Sequence, residues 1–181
     1  MELTFGPRGI LQIDNARITY KNFAGVGSKF NREGERNFSL IIPDEVVFDK
    51  KSGEEMELKD VLKREGWNVK IKKPDPLKPR DEDDKPFMHL PVKVKFNDDY
   101  DPESEDDRGP YCYLITGNNK VRLGPDNIGC LDNVWIDNIR LDIRPYDWEV
   151  NGKTGRTAYL HAIEVTQSIV DRFADRDEYD Y

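Results

Sequence analysis

Flat aromatic side chains alternate with positively charged ones between Ile18 and Ile42, around three glycines. Cations attract phosphates and aromatic rings stack on unpaired bases, so this pair of side-chain types suits a single-stranded nucleic acid. Stacking contributes about 1–3 kcal/mol per base and tolerates any base sequence. The segment and its flank therefore predict a sequence-independent binding surface. Its candidate contacts are Arg17, Tyr20, Lys21, Phe23, Lys29, Phe30, Arg32 and Arg36.

The aromatic residues of this segment differ in their expected burial. Phe38 is in phase with Leu40 and Ile42 of a predicted strand, so we expect it in the core. Phe23 and Phe30 lie in a polar loop with glycines, and we expect their rings to be at least partly exposed. Those two rings therefore belong to the predicted stacking surface.

A second basic stretch follows Trp67, where lysines alternate with apolar residues. Lys70 and Lys72 would line the outer face of a strand whose inner face holds Val69 and Ile71. By itself this pattern also fits an ordinary solvated strand. Together with the aromatic segment it extends the predicted surface. The further candidate contacts are Trp67, Lys70, Lys72 and Lys73.

Charge is distributed unevenly along the 181 residues, whose formal net charge is −8. An acidic surface repels phosphates, so the net charge alone argues against a nucleic-acid partner. The local balance differs, because residues 17–36 carry a net +3 and residues 70–80 a net +4. The acids collect elsewhere, with seven carboxylates between Asp98 and Asp107 and five in the last eleven residues. We therefore expect basic patches separated from long acidic loops and an acidic tail.

The sequence lacks the motifs of metal and nucleotide chemistry. Gly152-Lys153-Thr154 imitates the end of a phosphate-binding loop, but Asp147 stands where that motif needs a glycine. Two histidines, far apart in sequence, are too few for a zinc site or a histidine-based triad. The two cysteines are eighteen residues apart and are expected as free, buried thiols. We therefore predict a protein that is not an enzyme and that needs neither metal nor cofactor.

Short alternating or β-rich runs separated by loops dominate the chain. One short helix is predicted, because Ser52 and Glu55 have capping-box spacing and Gly66 suits its end. This pattern predicts a mainly β, OB-fold-like small β-barrel, with a β-sandwich as the competing architecture. We expect the barrel to comprise residues 1–166, and residues 167–181 to form a short helix or acidic tail. The predicted strands are Leu11–Tyr20, Arg36–Ile42, Asn68–Lys72, Met88–Phe96, Tyr111–Thr116, Val134–Ile143 and Ala158–Thr166.

The segments Arg17–Phe23 and Phe30–Phe38, the hairpin strand Ile143–Trp148 and the acidic C-terminal tail occur together in this chain. With these features it resembles phage-encoded OB-fold single-stranded DNA-binding proteins. The resemblance implies a protein that coats and protects single-stranded DNA during phage DNA replication or recombination, in the cytoplasm of a bacterial host. It also implies that the tail recruits replication or recombination proteins. The tail residues concerned are Asp177, Glu178, Tyr179, Asp180 and Tyr181.

Two other classes of protein stay open at this point. An acidic DNA mimic or anti-defence protein would inhibit a host enzyme by occupying its basic cleft, which suits the net charge but not the basic patches. A metal-dependent nuclease would need carboxylates at strand ends, whereas Asp98–Asp107 has the composition of a loop. No apolar stretch is long enough for a membrane span, so we expect a soluble protein. A homodimer is compatible with the sequence.

Overall fold

The fold, taken from a computed structural model that describes residues 1–74, 76–77 and 85–169, is mainly β. Within these residues one α-helix, α1, spans Leu58–Arg64, and short 3-10 turns lie at Pro7–Gly9 and Ile128–Asp132. No helix among them has the length and apolar character that crossing a membrane requires. The strands are β1 Glu2–Phe5, β2 Leu11–Asp14, β3 Ile18–Asn22, β4 Arg36–Ile42, β5 Val46–Asp49, β6 Glu54–Glu57, β7 Lys70–Lys72, β8 Phe87–Val94, β9 Tyr111–Thr116, β10 Asn119–Leu123, β11 Ile136–Val150 and β12 Lys153–Gln167.

One large sheet contains ten of these strands, and β5 and β6 form a separate hairpin. The main path of the large sheet runs β1-β2-β11-β12-β8-β4-β3, with β7 added to β8 and the β9–β10 pair added to β12. Most neighbours are antiparallel, but β12 lies parallel to both β8 and β9. The mainly β prediction with a helix is therefore confirmed, whereas the hydrogen-bonded ladder of the described residues is not closed, since β1 and β3 lie at its ends.

The strands β2 and β3 are consecutive halves of one bent segment. The bend falls at Asn15, whose φ of 52° is unusual for a residue with a side chain. Before the bend β2 pairs with β11, and after it β3 pairs with β4. The backbone at the bend continues both ladders, because the Ala16 N–H donates to the Ile139 carbonyl and the Ile41 N–H donates to the Arg17 carbonyl. This one bent segment thus pairs with β11 in one part of the sheet and with β4 in another part.

The core lies on one face of the large sheet, as the alternation of side chains requires. In the β4–β8 pair, Phe38 is opposite Val92 and Leu40 is opposite Leu90, and all four side chains are buried. Burial of each contributes about 1.5–3 kcal/mol relative to exposure. The prediction that Phe38 belongs to the core is confirmed.

The helix begins later than the sequence predicted. Ser52 lies in the turn between β5 and β6, where its backbone N–H donates to the Asp49 carboxylate, so it does not cap the helix. The predicted end is right, because Gly66 follows α1 with a φ of 97°, a conformation that suits glycine. The cysteines are free as predicted, but only Cys112 is buried and Cys130 is exposed. Most of the predicted tail, residues 170–181, lies outside the described residues.

Candidate nucleic-acid interface

The strand β8 separates the core from a half-exposed outer surface. Its side chains alternate, so Leu90, Val92 and Val94 enter the core while His89 and Lys93 point outward with Phe87 and Pro91. The strands β4 and β7 flank its first half, and β4 and β12 flank its second half. Residues of these flanking strands that are register partners of His89 or Lys93 therefore lie on the same outer face. We call this surface, on β3, β4, β7 and β8, the open face.

Three rings meet on the open face. The Tyr20 ring centroid lies 6.2 Å from that of Phe87 and 5.7 Å from that of His89, and Phe87 and His89 are 5.7 Å apart. Tyr20 has a φ of 51° and lies in an irregular stretch of β3, where the register to β4 shifts between Thr19 and Asn22. Half of the Tyr20 side chain is exposed, at 50%. The irregular backbone of β3 thus places the Tyr20 ring beside β8.

His89 is fixed within this ring cluster by a hydrogen bond. Its Nδ1 lies 3.0 Å from the Ser39 hydroxyl, which is itself buried. Burial lowers the pKa of His89 below its ordinary value, and the charges of Lys70 and Lys72 lower it further. The imidazole is therefore mainly neutral near pH 7 and adds a third flat ring to the cluster.

The lysines of β7 lie directly beside the ring cluster. Lys70 is the register partner of His89, and Lys72 is the register partner of Phe87. Both lysines are exposed, and neither forms an ion pair within the part of the chain that the structure describes. Lys93 is also exposed without such a pair, about 13 Å from His89 at the usual rise along a strand. The open face thus combines accessible rings with cations that form no ion pair among the described residues.

The loop between β3 and β4 forms a tight hairpin at one end of the open face. Its Asn31 amide donates to the carbonyls of Val26, Arg32 and Glu35, and the Asn31 Oδ1 accepts from the Asn37 amide at 2.7 Å. Asn37 is the register partner of Lys93, which places this end of the hairpin near the second half of β8. These four hydrogen bonds hold the loop in a defined shape.

The tip of this hairpin exposes a ring and two cations. The Phe30 side chain is 92% exposed, and the Lys29 ammonium lies 5.8 Å from its ring centroid. Arg32 is exposed as well. The expectation of an accessible ring is therefore confirmed for Phe30.

Phe23, at the base of the same hairpin, corrects the sequence interpretation. Its ring has 0% exposure and stacks on Phe38 with centroids 5.2 Å apart. The backbone N–H groups of Phe23 and Ala24 donate to the Asp132 carboxylate, which draws the base of the hairpin onto the 3-10 turn. The expectation that Phe23 is exposed is wrong, because a ring packed against the core presents no face to a base.

Trp67 is the second aromatic residue that the sequence placed at the surface incorrectly. Its side chain is 3% exposed and belongs to the hydrophobic core, with the Arg156 guanidinium 5.2 Å from its ring. The chain enters this position from the end of α1, where the Trp67 N–H donates to the Leu62 carbonyl. Trp67 therefore stabilises the junction of helix and sheet and is not available for stacking.

Two predicted cations are bound to backbone carbonyls. The Lys21 ammonium donates to the Leu131 carbonyl at 3.2 Å, and the Arg36 guanidinium donates to the carbonyls of Phe23 and Pro125. These bonds direct both side chains toward the 3-10 turn and its neighbours. Arg17 is exposed beside β4, and Lys73 is exposed after β7. The residues that the structure brings to the open face or the hairpin tip are Tyr20, Lys29, Phe30, Arg32, Lys70 and Lys72.

The sequence interpretation missed Phe87 and His89. The signal was present, because the alternation that assigns Leu90 and Val92 to the core assigns His89 and Phe87 to the opposite face. What the sequence could not show is that Tyr20 lies against them, since 67 residues separate Tyr20 from Phe87. Long-range pairing of this kind becomes visible only in the folded sheet.

The chain matches one family model and has structural neighbours. Residues 5–179 match the family described as "Putative phage ssDNA-binding domain". No curated protein matches the chain. The structure of the single-stranded DNA-binding protein from bacteriophage Enc34 in complex with ssDNA has 13% identity and a TM-score of 0.49, covering 94% of this chain and 93% of that chain. Another structure of the bacteriophage Enc34 protein has 15% identity and a TM-score of 0.47, covering 99% of this chain and 100% of that chain.

Proposed function

Because the chain belongs to the family of phage single-stranded-DNA-binding domains, we propose that it coats and protects single-stranded DNA during phage DNA replication or recombination, without an enzymatic step. The strand lies on the open face in this proposal. The observation that carries it is the register of β7 on β8. This register sets Lys70 and Lys72, which form no ion pair with any described residue, beside Phe87, His89 and Tyr20. Free cations next to stacked rings are what a phosphate–base chain requires.

The proposed path follows β8 from the ring cluster to the hairpin tip. Bases stack on Tyr20, Phe87 and His89 at one end, while phosphates contact the β7 lysines. Lys93 continues the line of positive charge, and the hairpin anchored at Asn37 brings Phe30 to the other end. Stacking uses the π-face that every base has, so the binding does not depend on base sequence.

The proposed architecture is a partly open OB-type barrel. In such barrels the face of the second and third strands and the loop after the first strand bind oligonucleotides. If the bent β2–β3 segment is the first strand, then β4 and β8 are the second and third, and the hairpin of residues 23–35 is the loop after the first. The open face and the hairpin tip then occupy the positions that OB-folds use for binding.

The C-terminal tail is proposed to act on proteins rather than on DNA. Its last five residues, 177–181, combine three carboxylates with two tyrosines, a composition suited to a basic, partly apolar pocket on a replication or recombination protein. Residues 1–166 supply the DNA-binding domain in this proposal. The site of action is the cytoplasm of the bacterial host, and a homodimer is compatible with it.

Fluorescence anisotropy with labelled oligonucleotides tests the proposed function. The protein should bind oligo-dT and other single strands with similar affinity, bind a duplex of the same length at least about tenfold more weakly, and leave every strand intact with Mg²⁺. Replacement of both Tyr20 and Phe87 by Ala should weaken single-strand binding while the protein stays folded. A protein that ignores oligonucleotides but inhibits a host nuclease would be a DNA mimic, and strand cleavage with Mg²⁺ would make it a nuclease. Either result would overturn the proposal.

A further inference from the structure

A second group, of two rings and one cation, lies on the outer face of β11 and β12. The Arg144 guanidinium carbon is 4.9 Å from the Tyr159 ring centroid, and the Tyr146 ring lies edge-on to Tyr159 at 5.9 Å. Arg144 and Tyr159 are register partners across the two strands, so their contact follows from the sheet itself. The Tyr146 side chain is 53% exposed. We call these three residues the β11–β12 cluster.

Arg144 differs from the other arginines of these two strands. The Arg140 guanidinium binds the Asp14 carboxylate at 2.9 Å, and the Arg156 guanidinium binds the Asp147 carboxylate at 2.7 Å. Within the described ranges of the chain Arg144 forms no ion pair, and its contact is the ring of Tyr159. A guanidinium over a ring face can still donate from the N–H groups in its own plane, and a phosphate oxygen can accept from them.

The β11–β12 cluster continues the open face. Tyr159 is the register partner of Lys93 across the parallel β8–β12 pair, and the buried Ala158 is the partner of the buried Val92. Tyr159 and Lys93 therefore point to the same side of the sheet. Lys93 lies four residues after His89 on β8, about 13 Å along the strand. The ring cluster of the open face and the β11–β12 cluster therefore lie on one continuous surface, with Lys93 between them.

We propose that the β11–β12 cluster is a second stacking site for the same DNA strand, with Tyr146 and Tyr159 receiving an unpaired base and Arg144 its phosphate. This inference rests on the proposed function. The separation of the two clusters means that a strand of a few nucleotides reaches one of them and a longer strand reaches both. Since OB-folds occupy about 4 to 16 nucleotides, a length within that range should mark the point at which the second site is engaged.

The test compares oligo-dT of about 4 and about 16 nucleotides, the two limits for one OB-fold. The variant R144Q/Y146A should bind the long oligonucleotide about tenfold more weakly, the effect of one lost stacked base, and should bind the short one as the wild type does. Arg140→Gln is the matched control, because Arg140 lies on the same strand but is bound to Asp14. Its affinity for both lengths should stay within about twofold.

Two results would overturn the second site. One is an unchanged affinity of R144Q/Y146A for the long oligonucleotide, and the other is an equal loss for both lengths. Photo-crosslinking of the wild type to a bromodeoxyuridine oligonucleotide gives an answer that does not depend on a variant. Adducts at Tyr146 or Tyr159 support the site, whereas adducts confined to Tyr20, Phe87 and Phe30 contradict it and leave the proposed function standing. Wild-type protein that binds neither length overturns the proposed function, and the second site with it.

Discussion

The open face and the corner formed by β5, β6 and α1 both expose lysines and aromatic rings, but they differ in how the cations are held. In the corner the Arg64 guanidinium binds both oxygens of Asp49, and Lys51 binds Glu65 at 2.7 Å. On the open face Lys70 and Lys72 have no such partner within the described chain. Arg64 and Lys51 are thus engaged by carboxylates in the corner, whereas Lys70 and Lys72 are not engaged in this way by any described residue.

This difference explains how a protein of net charge −8 can bind a polyanion. Some of its acids neutralise individual cations elsewhere, as in the pairs Arg64–Asp49 and Arg140–Asp14. Among the described residues, Lys70 and Lys72 of the open face are not neutralised in this way, which favours a positive local field on the proposed binding surface. In the proposed function, the pairing of the lysines and arginines is therefore a better guide to the binding surface than their number.

Charge reversal should separate the two regions most strongly. Replacement of both Lys70 and Lys72 by Glu should weaken oligo-dT binding by about 100-fold at moderate salt, because two phosphate contacts become repulsive. The matched corner variant, with Lys50 and Lys51 replaced by Glu, breaks the ion pair of Lys51 with Glu65 but should change affinity by less than about threefold. Anisotropy titrations measure both. An equal loss in the two variants would show that only overall charge matters.

Removal of one ring should have the next largest effect. Tyr20→Ala should weaken single-strand binding by roughly 5- to 150-fold, the equivalent of one stacked base, whereas Tyr20→Phe should keep the affinity. Phe48→Ala is the control, because Phe48 is 65% exposed in the corner and its loss should leave binding unchanged. If Tyr20→Ala binds like the wild type, the ring cluster is not where the bases stack.

The Asp49 carboxylate should affect stability and leave binding unchanged. The Arg64 guanidinium and the Ser52 turn hold the pKa of Asp49 well below its ordinary value of 3.8. Its ion pair therefore stabilises the fold above about pH 4 and is lost as the pH falls below that. Asp49→Asn should lower the melting temperature at pH 7, with a smaller difference from the wild type at about pH 3. Oligo-dT affinity at pH 7 should be that of the wild type, and a loss there would tie the corner to binding.

The smallest expected effect is a pH dependence at His89. Burial, Lys70 and Lys72 keep its pKa below the ordinary value in the free protein, while a bound phosphate would favour the charged ring and raise that pKa. Binding would then take up a proton, so affinity should rise by roughly threefold between about pH 7.5 and about pH 5.5. His89→Phe should lose this dependence and keep the stacking surface. The same rise in His89→Phe would assign it to another group.

Local patterns predicted much of the sheet but not the fate of each ring. The bounds predicted for Arg36–Ile42 and Tyr111–Thr116 are those of β4 and β9, because period-two alternation is a local signal. Phe23 and Phe30 stand in the same glycine-bearing loop, yet one ring is buried and the other exposed. The difference comes from Asp132, which binds the backbone at Phe23 from 109 residues away. No property of the loop sequence encodes that contact.

In the candidate site, too, the sequence predicted the exposure of some side chains but not of others. The exposure of Tyr20, Lys70 and Lys72 agrees with the aromatic–basic pattern of the sequence, and their contact with DNA stays a prediction. Lys21 and Arg36 belong to the same pattern, but their ends bind carbonyls of segments that follow about 90 or more residues later. Residue type predicts what a side chain can do, and tertiary structure decides whether it is free to do it.

The salt dependence of oligo-dT binding tests the central claim most directly. Counterion release predicts a linear fall of log K with log salt, with a slope of about −0.7 for each phosphate contact on a single strand. Replacement of both Lys70 and Lys72 by Gln should therefore make the slope shallower by about 1.4, two contacts at that value. A wild-type affinity that does not change with salt, or a slope that stays the same in this variant, would contradict the placement of DNA on the open face.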